Sequence, residues 1–425
     1  MAATVASKED VDLMDCDLAA LSLPQQPSAM FSSSEEEALD PVDLDLQLKS
    51  LPLNALITIW TSAAPCDISD LRSFLLTFSM FMKPMELLEE LKTRFDAPPP
   101  SHLEGEELQA WRAKDLRIIQ LRVYSFFRHW VTVAPCDFLT DPSLEAALEM
   151  WTRDRLPALG IAPSAALTRS LQRAKDRKSH IFIHPEPPPS PVLTSAPPQK
   201  LTDLIPLELA RQLTLLEFKA FSRICHHEFH DFAWIKHKDQ APNLVEMVQL
   251  SNLIGAWISR EVRSTPADSQ APLARFLVRL LKSLHQLHNY SCLTLLLMIL
   301  HGFFERATLS TAHRQRIAEL ESITTSTSNY AKLRAVLRDS APPTLPNVGM
   351  YLTDLHFILE SSCDGSQEFT TEFTTQHGAA VKFWKMKKVA TIIQGIQVFI
   401  NVPYNLQEVP EIQHFLESKL RAMYI

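Results

Sequence analysis

The chain has 425 residues, 46% of them hydrophobic, with 8 glycines against 29 prolines and a formal net charge of −8. Length and apolar content suit two or three domains with sizeable cores. So few glycines argue against glycine-rich phosphate loops and for a helical protein, and the acidic balance argues against a general nucleic-acid binder, which carries a basic face.

The six cysteines, at 16, 66, 136, 225, 292 and 363, form no C-x-x-C pair. They read as ordinary thiols of a reducing compartment. The first residues, M-A-A-T-V-A-S-K-E-D, are polar and acidic, unlike a signal peptide. The longest unbroken aliphatic run, Leu295–Leu300, falls far short of the roughly 20 residues a membrane span needs. The expected location is cytoplasmic, with no transmembrane segment.

Residues 1–47 carry Ser32-Ser33-Ser34, Glu35-Glu36-Glu37, Asp40, Asp43 and Asp45 with little apolar pattern. Such a segment cannot offset its ordering entropy by burial, so a disordered acidic tail is expected. From 48 to 154 the pattern is helical. Asp67 stands where an N-cap belongs, ahead of the amphipathic run L-R-S-F-L-L-T-F-S-M-F-M. Pro84 opens the next helix, with acids in its first turn. The helix I-I-Q-L-R-V-Y-S-F-F-R-H-W-V ends before Pro135. Residues 155–200 read as a linker. It contains a basic helix near 165–178, with Arg169, Arg173, Lys175, Arg177 and Lys178, and then the extended run from His184 through P-E-P-P-P-S-P. The basic helix is compatible with peripheral membrane association.

From 201 to 425 the pattern is helical again, and its most informative part is a pair of helices near the end. Placing residues about 100° apart sets Leu352, Leu355 and Leu359 on one apolar face of the first arm. Thr353, His356, Phe357 and Glu360 fall on another face. In the second arm Val389, Ile392, Ile393, Ile396 and Phe399 recur at helical spacing, and Pro403 ends the arm. The connector Ser361-Ser362-Cys363-Asp364-Gly365 carries turn-forming residues.

Enzyme and metal motifs are absent. There is no G-x-x-x-x-G-K-[ST] and no G-x-S-x-G. In Cys225-His226-His227-Glu228-Phe229-His230 the histidines at 226 and 230 would share a helix face. The spacing departs from H-E-x-x-H, however, since Asp231 stands where the second histidine after His227 belongs. The cluster reads as packing or solvated residues, and neither a metal nor a cofactor is expected. The basic residues Lys382, Lys385, Lys387 and Lys388 read as a solvated face that can steer an acidic partner.

Several of these runs resemble one family. F-L-L-T-F-S-M-F-M-K-P-M-E-L-L-E-E-L-K-T-R-F, followed by L-R-V-Y-S-F-F-R-H-W-V, resembles the Ras exchanger motif, the N-terminal helical module of Ras-family guanine nucleotide exchange factors. I-P-L-E-L-A-R-Q-L-T-L-L-E-F-K-A-F at 205–221, L-H-Q-L-H-N-Y-S-C-L-T-L-L-L-M-I-L-H-G at 284–302, Y-L-T-D-L at 351–355, P-Y-N-L at 403–406 and E-I-Q-H-F-L at 411–416 resemble the catalytic domain of that family. The resemblance covers most of the chain. It implies an all-α fold: a helical bundle at 48–154 packed on a larger catalytic domain at 201–425 with a protruding helical hairpin. It also implies exchange of GDP for GTP on a small GTPase of Ras, Rap or Ral type, without covalent chemistry.

By the same resemblance Glu360 is the acid that reaches the partner's phosphate loop, and Thr353 faces the partner. His356 stands where well-known members carry an apolar residue such as leucine. Phe357, Ser361, Ser362, Lys382 and Lys385 are further expected partner contacts. Ser361 and Ser362 replace a usual Gly-Asn. The segment after Gly302, F-F-E-R-A-T-L-S-T-A, is shorter than the family's and lacks its R-L-x-x-T/S element, leaving Glu305 and Arg306 to supply contacts there. The alternative implied by these departures is a family member that binds a GTPase as a scaffold without efficient exchange.

Overall fold

The computed structural model describes residues 51–62, 67–178, 186–193, 196–360, 380–381 and 383–423. The acidic tail at 1–47, the turn with Ser361 and Ser362, and Lys382 lie outside these residues. The described chain is all-α apart from one short pairing, β1 (Leu51–Pro52) with β2 (Ala380–Val381), antiparallel.

The first module is built from α1 (Leu53–Trp60), α2 (Ile68–Leu75), α3 (Pro84–Phe95), α4 (Gly105–Ala113), α5 (Asp115–Val133) and α6 (Pro142–Asp154). The expected caps form. Asp67 Oδ1 accepts from the Ser69 amide at 2.8 Å, and Glu86 reaches back to the Lys83 amide at 3.1 Å ahead of Pro84. The amphipathic run from Leu71 is not one helix. It leaves α2 after Leu75 and resumes as a 3₁₀ turn at Phe78–Met80. The break lets Phe74 and Phe78 both enter the core, where Phe78 meets Trp130 edge-on at 5.2 Å.

The basic segment is not a solvated linker. It forms α7 (Ile161–Lys178), whose Leu167, Leu171 and Ala174 are buried in the first core. Arg169 and Arg173 face outward, and Lys175 pairs with Glu145 and Glu149. A helix with one apolar stripe must bury it, and the bundle offers the nearest groove. The proline-rich stretch is likewise held. The Val192 amide donates to Glu208 Oε2 at 3.0 Å, Arg211 donates to the Ser190 carbonyl at 3.1 Å, and Asn405 donates to the Glu186 carbonyl at 2.9 Å.

The larger core is made by α8 (Pro206–Phe221), α9 (Pro242–Ser264), α10 (Ala267–Gln286), α11 (Tyr290–Arg306), α12 (Thr311–Thr324), α13 (Thr327–Asp339), α14 (Val348–Glu360), α15 (Phe383–Ile400) and α16 (Pro410–Arg421). A polar stripe on α8 holds the segments flanking the hairpin. Buried Gln212 donates to the Gln407 carbonyl at 2.8 Å and accepts from the Val409 amide at 3.0 Å. Buried Glu217 accepts from Asn289 Nδ2 at 2.8 Å and Ser291 Oγ at 2.9 Å. Leu345, at the entry to α14, exchanges backbone hydrogen bonds with the His288–Tyr290 corner. The sequence run at 205–221 is therefore polar where it must pair with backbone that leads into and out of the hairpin.

The two modules share residues. Leu76 belongs to the larger core, and Met386 of α15 belongs to the first. Lys387 Nζ meets Asp70 Oδ1 at 2.8 Å, and Gln397 donates to the Val133 carbonyl at 3.3 Å. His230 spends both ring nitrogens across the junction, Nε2 on the Leu76 carbonyl at 2.8 Å and Nδ1 on Ser79 Oγ at 3.1 Å.

Candidate functional site: the helical hairpin

α14 buries Leu355 completely, while Leu352 and Leu359 are half-buried against the larger core. In α15, Val389, Ile393, Ile396 and Phe399 are buried, and Ile392 is half-buried. One face of each arm is thus locked in place, as the periodicity requires.

The other face of α14 is open. The Thr353 hydroxyl is exposed and donates to the Gly349 carbonyl at 2.9 Å. The Phe357 ring is 66% exposed. His356 Nε2 lies 3.1 Å from Glu360 Oε2, and the Glu360 side chain is 61% exposed. The structure thus brings Thr353, His356, Phe357 and Glu360 onto one stretch of accessible helix. A bulky exposed ring beside a carboxylate can crowd one part of a partner while accepting hydrogen bonds from another.

Lys385 does not join them. It is 9% exposed and donates from Nζ to the Leu359 carbonyl at 2.8 Å. The ammonium of one arm is thus spent on a backbone carbonyl of the other. Its place is structural, a correction to the expected partner contact.

Further supports escaped sequence reasoning. Phe232 packs edge-on against His356, centroids 5.4 Å apart, and Lys236 Nζ sits 4.8 Å above the Phe232 ring. Phe232 and Asp231 adopt φ of 59° and 45°, a left-handed turn that bulky side chains rarely take. On the other side, Arg334 pairs with Asp354 at 2.7 Å and Asn329 donates to the same carboxylate at 2.8 Å. Neither brace has a local sequence signal. The only cue is the shared helix face of Asp354 with residues that pack inward.

Comparison with known proteins bears on this arrangement directly. Residues 47–151 match the RasGEF N-terminal motif, and residues 208–387 match the RasGEF domain. The chain belongs to the RasGEF family. The second match takes in all of α14 and the start of α15, and the first covers the module that braces them. The chain is 30% identical over 397 residues to Ras guanine nucleotide exchange factor A of Dictyostelium discoideum, covering 89% of this chain and 63% of that protein. It is 26% identical over 412 residues to Cell division control protein 25 of Candida albicans, covering 89% of this chain and 29% of that protein. It is 26% identical over 413 residues to Protein son of sevenless of Drosophila melanogaster, covering 87% and 25%. This RasGEF chain therefore spans under two thirds of the length of these relatives.

Proposed function

We propose that this chain drives GDP release, and so GTP loading, on a Ras-family small GTPase by setting the α14–α15 hairpin beside the nucleotide site. One observation carries the reading: Glu360 and Phe357 stand exposed on a helix whose opposite face is fixed in the core. Rigidity matters because only a difference in affinity between loaded and empty partner shifts the population. A compliant hairpin would bend around the loaded form and lose that difference.

A GTPase holds its nucleotide through phosphate contacts and a magnesium ion. The Glu360 carboxylate competes for the donors that hold phosphate, and the Phe357 and His356 rings supply bulk next to them. No covalent bond forms or breaks. Linkage makes the effect reciprocal: nucleotide and exchange factor each weaken the other's binding by the same factor. Residues 48–154, extended by α7, act as the brace, and 201–425 as the catalytic domain. No helix among the described residues is long and apolar enough to cross a membrane, and we place the protein in the cytoplasm, next to membrane-attached GTPases.

The test is release of fluorescent GDP from Ras, Rap and Ral-type GTPases in excess GTP. The expected outcome is fast release from at least one of them. Removing a charge-assisted hydrogen bond costs about 1.5–3 kcal/mol, so Glu360→Ala slows that release by roughly 10- to 100-fold with the fold intact. Stable complexes without release would mark a scaffold instead.

A further inference from the structure

At the junction of the two modules, side chains with metal-binding atoms converge. The short helix Cys136–Thr140 brings Asp137, and the 3₁₀ turn His226–Phe229 brings His226 and His227. One ligand atom from each of Asp137, His226 and His227 lies within 4.8 Å of the others. His226 Nε2 and Asp137 Oδ1 are 3.3 Å apart. Nitrogen and oxygen ligands about 2.0–2.1 Å from zinc at tetrahedral angles are separated by about 3.3 Å, so this pair already has the required spacing.

His226 and Asp137 are 3% and 5% exposed. Nevertheless, neither ring nitrogen of His226 makes a hydrogen bond. Its Nε2 is within ion-pair range of Asp137 but not in hydrogen-bonding geometry. Buried polar groups are nearly always satisfied, and this buried ring has only the 3.3 Å ion-pair contact from Nε2 to Asp137, with no hydrogen bond at Nδ1. Asp137 is prepared for a cation: Oδ2 accepts from Trp130 Nε1 at 2.6 Å, which fixes the carboxylate and leaves Oδ1 directed at His226. An outer hydrogen bond of this kind orients carboxylate ligands in metal sites. The Cys136 thiol lies beside His226 and Cys225 but is not one of the clustered ligand atoms. Cys136 and His226 also line a cavity of about 600 Å³ between the modules, which gives an ion a way in. His230, the histidine that helical spacing pairs with His226, is not available, because both its nitrogens are engaged with Leu76 and Ser79.

We propose that Asp137, His226 and His227 bind a zinc ion that fastens the N-terminal module to the catalytic domain. Two imidazole donors select a borderline-soft cation over magnesium or calcium, which take oxygen ligands. Three protein ligands leave the fourth position of a tetrahedral ion to water. One ligand comes from the first module and two from the second, and the site exists only when the modules are docked. Zinc therefore stabilises the docked form by mass action.

The experiment uses the full chain, stripped with a chelator, dialysed against zinc sulfate, and assayed for metal by mass spectrometry and for thermal stability. One zinc per chain and a melting temperature raised by several degrees are expected, with no rise from magnesium or calcium. Asp137→Asn keeps the shape and the Trp130 contact, and His227→Ala changes a half-buried residue, so both variants should fold. Each should lose the zinc and the zinc-dependent shift. Failure of the wild-type chain to retain zinc overturns the proposal and leaves a buried imidazole–carboxylate pair. Undiminished zinc in both variants also overturns it, by placing the ion elsewhere.

Discussion

The imidazole at 356 packs on the Phe232 and Phe357 rings and meets the Glu360 carboxylate. On the proposed function, it competes with the donors that a GTPase would offer to Glu360. His356→Leu keeps the bulk and removes the competitor, so nucleotide release should be as fast or up to several-fold faster, measured on the same fluorescent substrate. Glu217 makes a different kind of prediction. Burial lifts its carboxyl from the ordinary 4.5 to about 7, with the Asn289 and Ser291 hydrogen bonds opposing the rise. The folded chain thus holds this proton more tightly than the unfolded chain. The stability it contributes is complete below about pH 4.5 and lost as pH rises through about 7. Glu217→Gln should flatten the fall of stability over that window and be more stable than wild type at pH 8 by roughly 3 kcal/mol, at 1.36 kcal/mol per pKa unit. Urea titrations across the pH range measure it. The grouping of Thr353, His356, Phe357 and Glu360 was legible from helical increments alone. Phe232 was not, because nothing in its neighbours announces a left-handed turn.

At the scale of elements, the hairpin arms differ in what holds them. α14 is set by its leucine stripe, by Arg334 and Asn329 on Asp354, and by Lys385 at its last turn. α15 buries Val389, Ile393, Ile396 and Phe399 in the larger core and is held by the first module as well, through Met386 and Lys387. Truncating a buried methionine costs about 2–5 kcal/mol, so Met386→Ala should lower stability by that order in denaturant melts. It should also slow GDP release, although residue 386 lies far from the exposed face of α14 in sequence. The leucine and isoleucine stripes could be read in advance because a period of 3.6 is a local property. The braces on α14 join residues such as Asn329 with Asp354, 25 positions apart, and the contacts to the first module reach as far as 264 positions, from Gln397 to Val133, beyond any helical spacing rule. The same limit explains α7: its basic outer face dominated the sequence, while its apolar stripe of Leu167, Leu171 and Ala174 found a core that only tertiary packing supplies.

For the whole molecule, the shared residues decide the behaviour. Leu76 lies in one core and Met386 in the other, and His230 bonds across the junction, so neither module can open without exposing part of its neighbour. Unfolding should therefore be a single transition, coincident by Trp fluorescence and by helical circular dichroism. Two separated transitions would show independently stable modules. The all-helical class and the order of the modules followed from composition and ordered motifs. That the modules pack together was implied by the resemblance, but the contacts that dock them were not legible, because they depend on side chains such as His230, which meets the Leu76 carbonyl and the Ser79 hydroxyl.

The central claim is that a braced hairpin prefers an empty GTPase to a loaded one. The most direct measurement is the affinity of the full chain for the same Ras-family GTPase with and without bound GDP, by titration at equilibrium. A ratio of about 100 corresponds to about 2.8 kcal/mol of differential binding. The account predicts at least that preference for the nucleotide-free form, and its collapse in Glu360→Ala. Equal affinity for the two forms would contradict it.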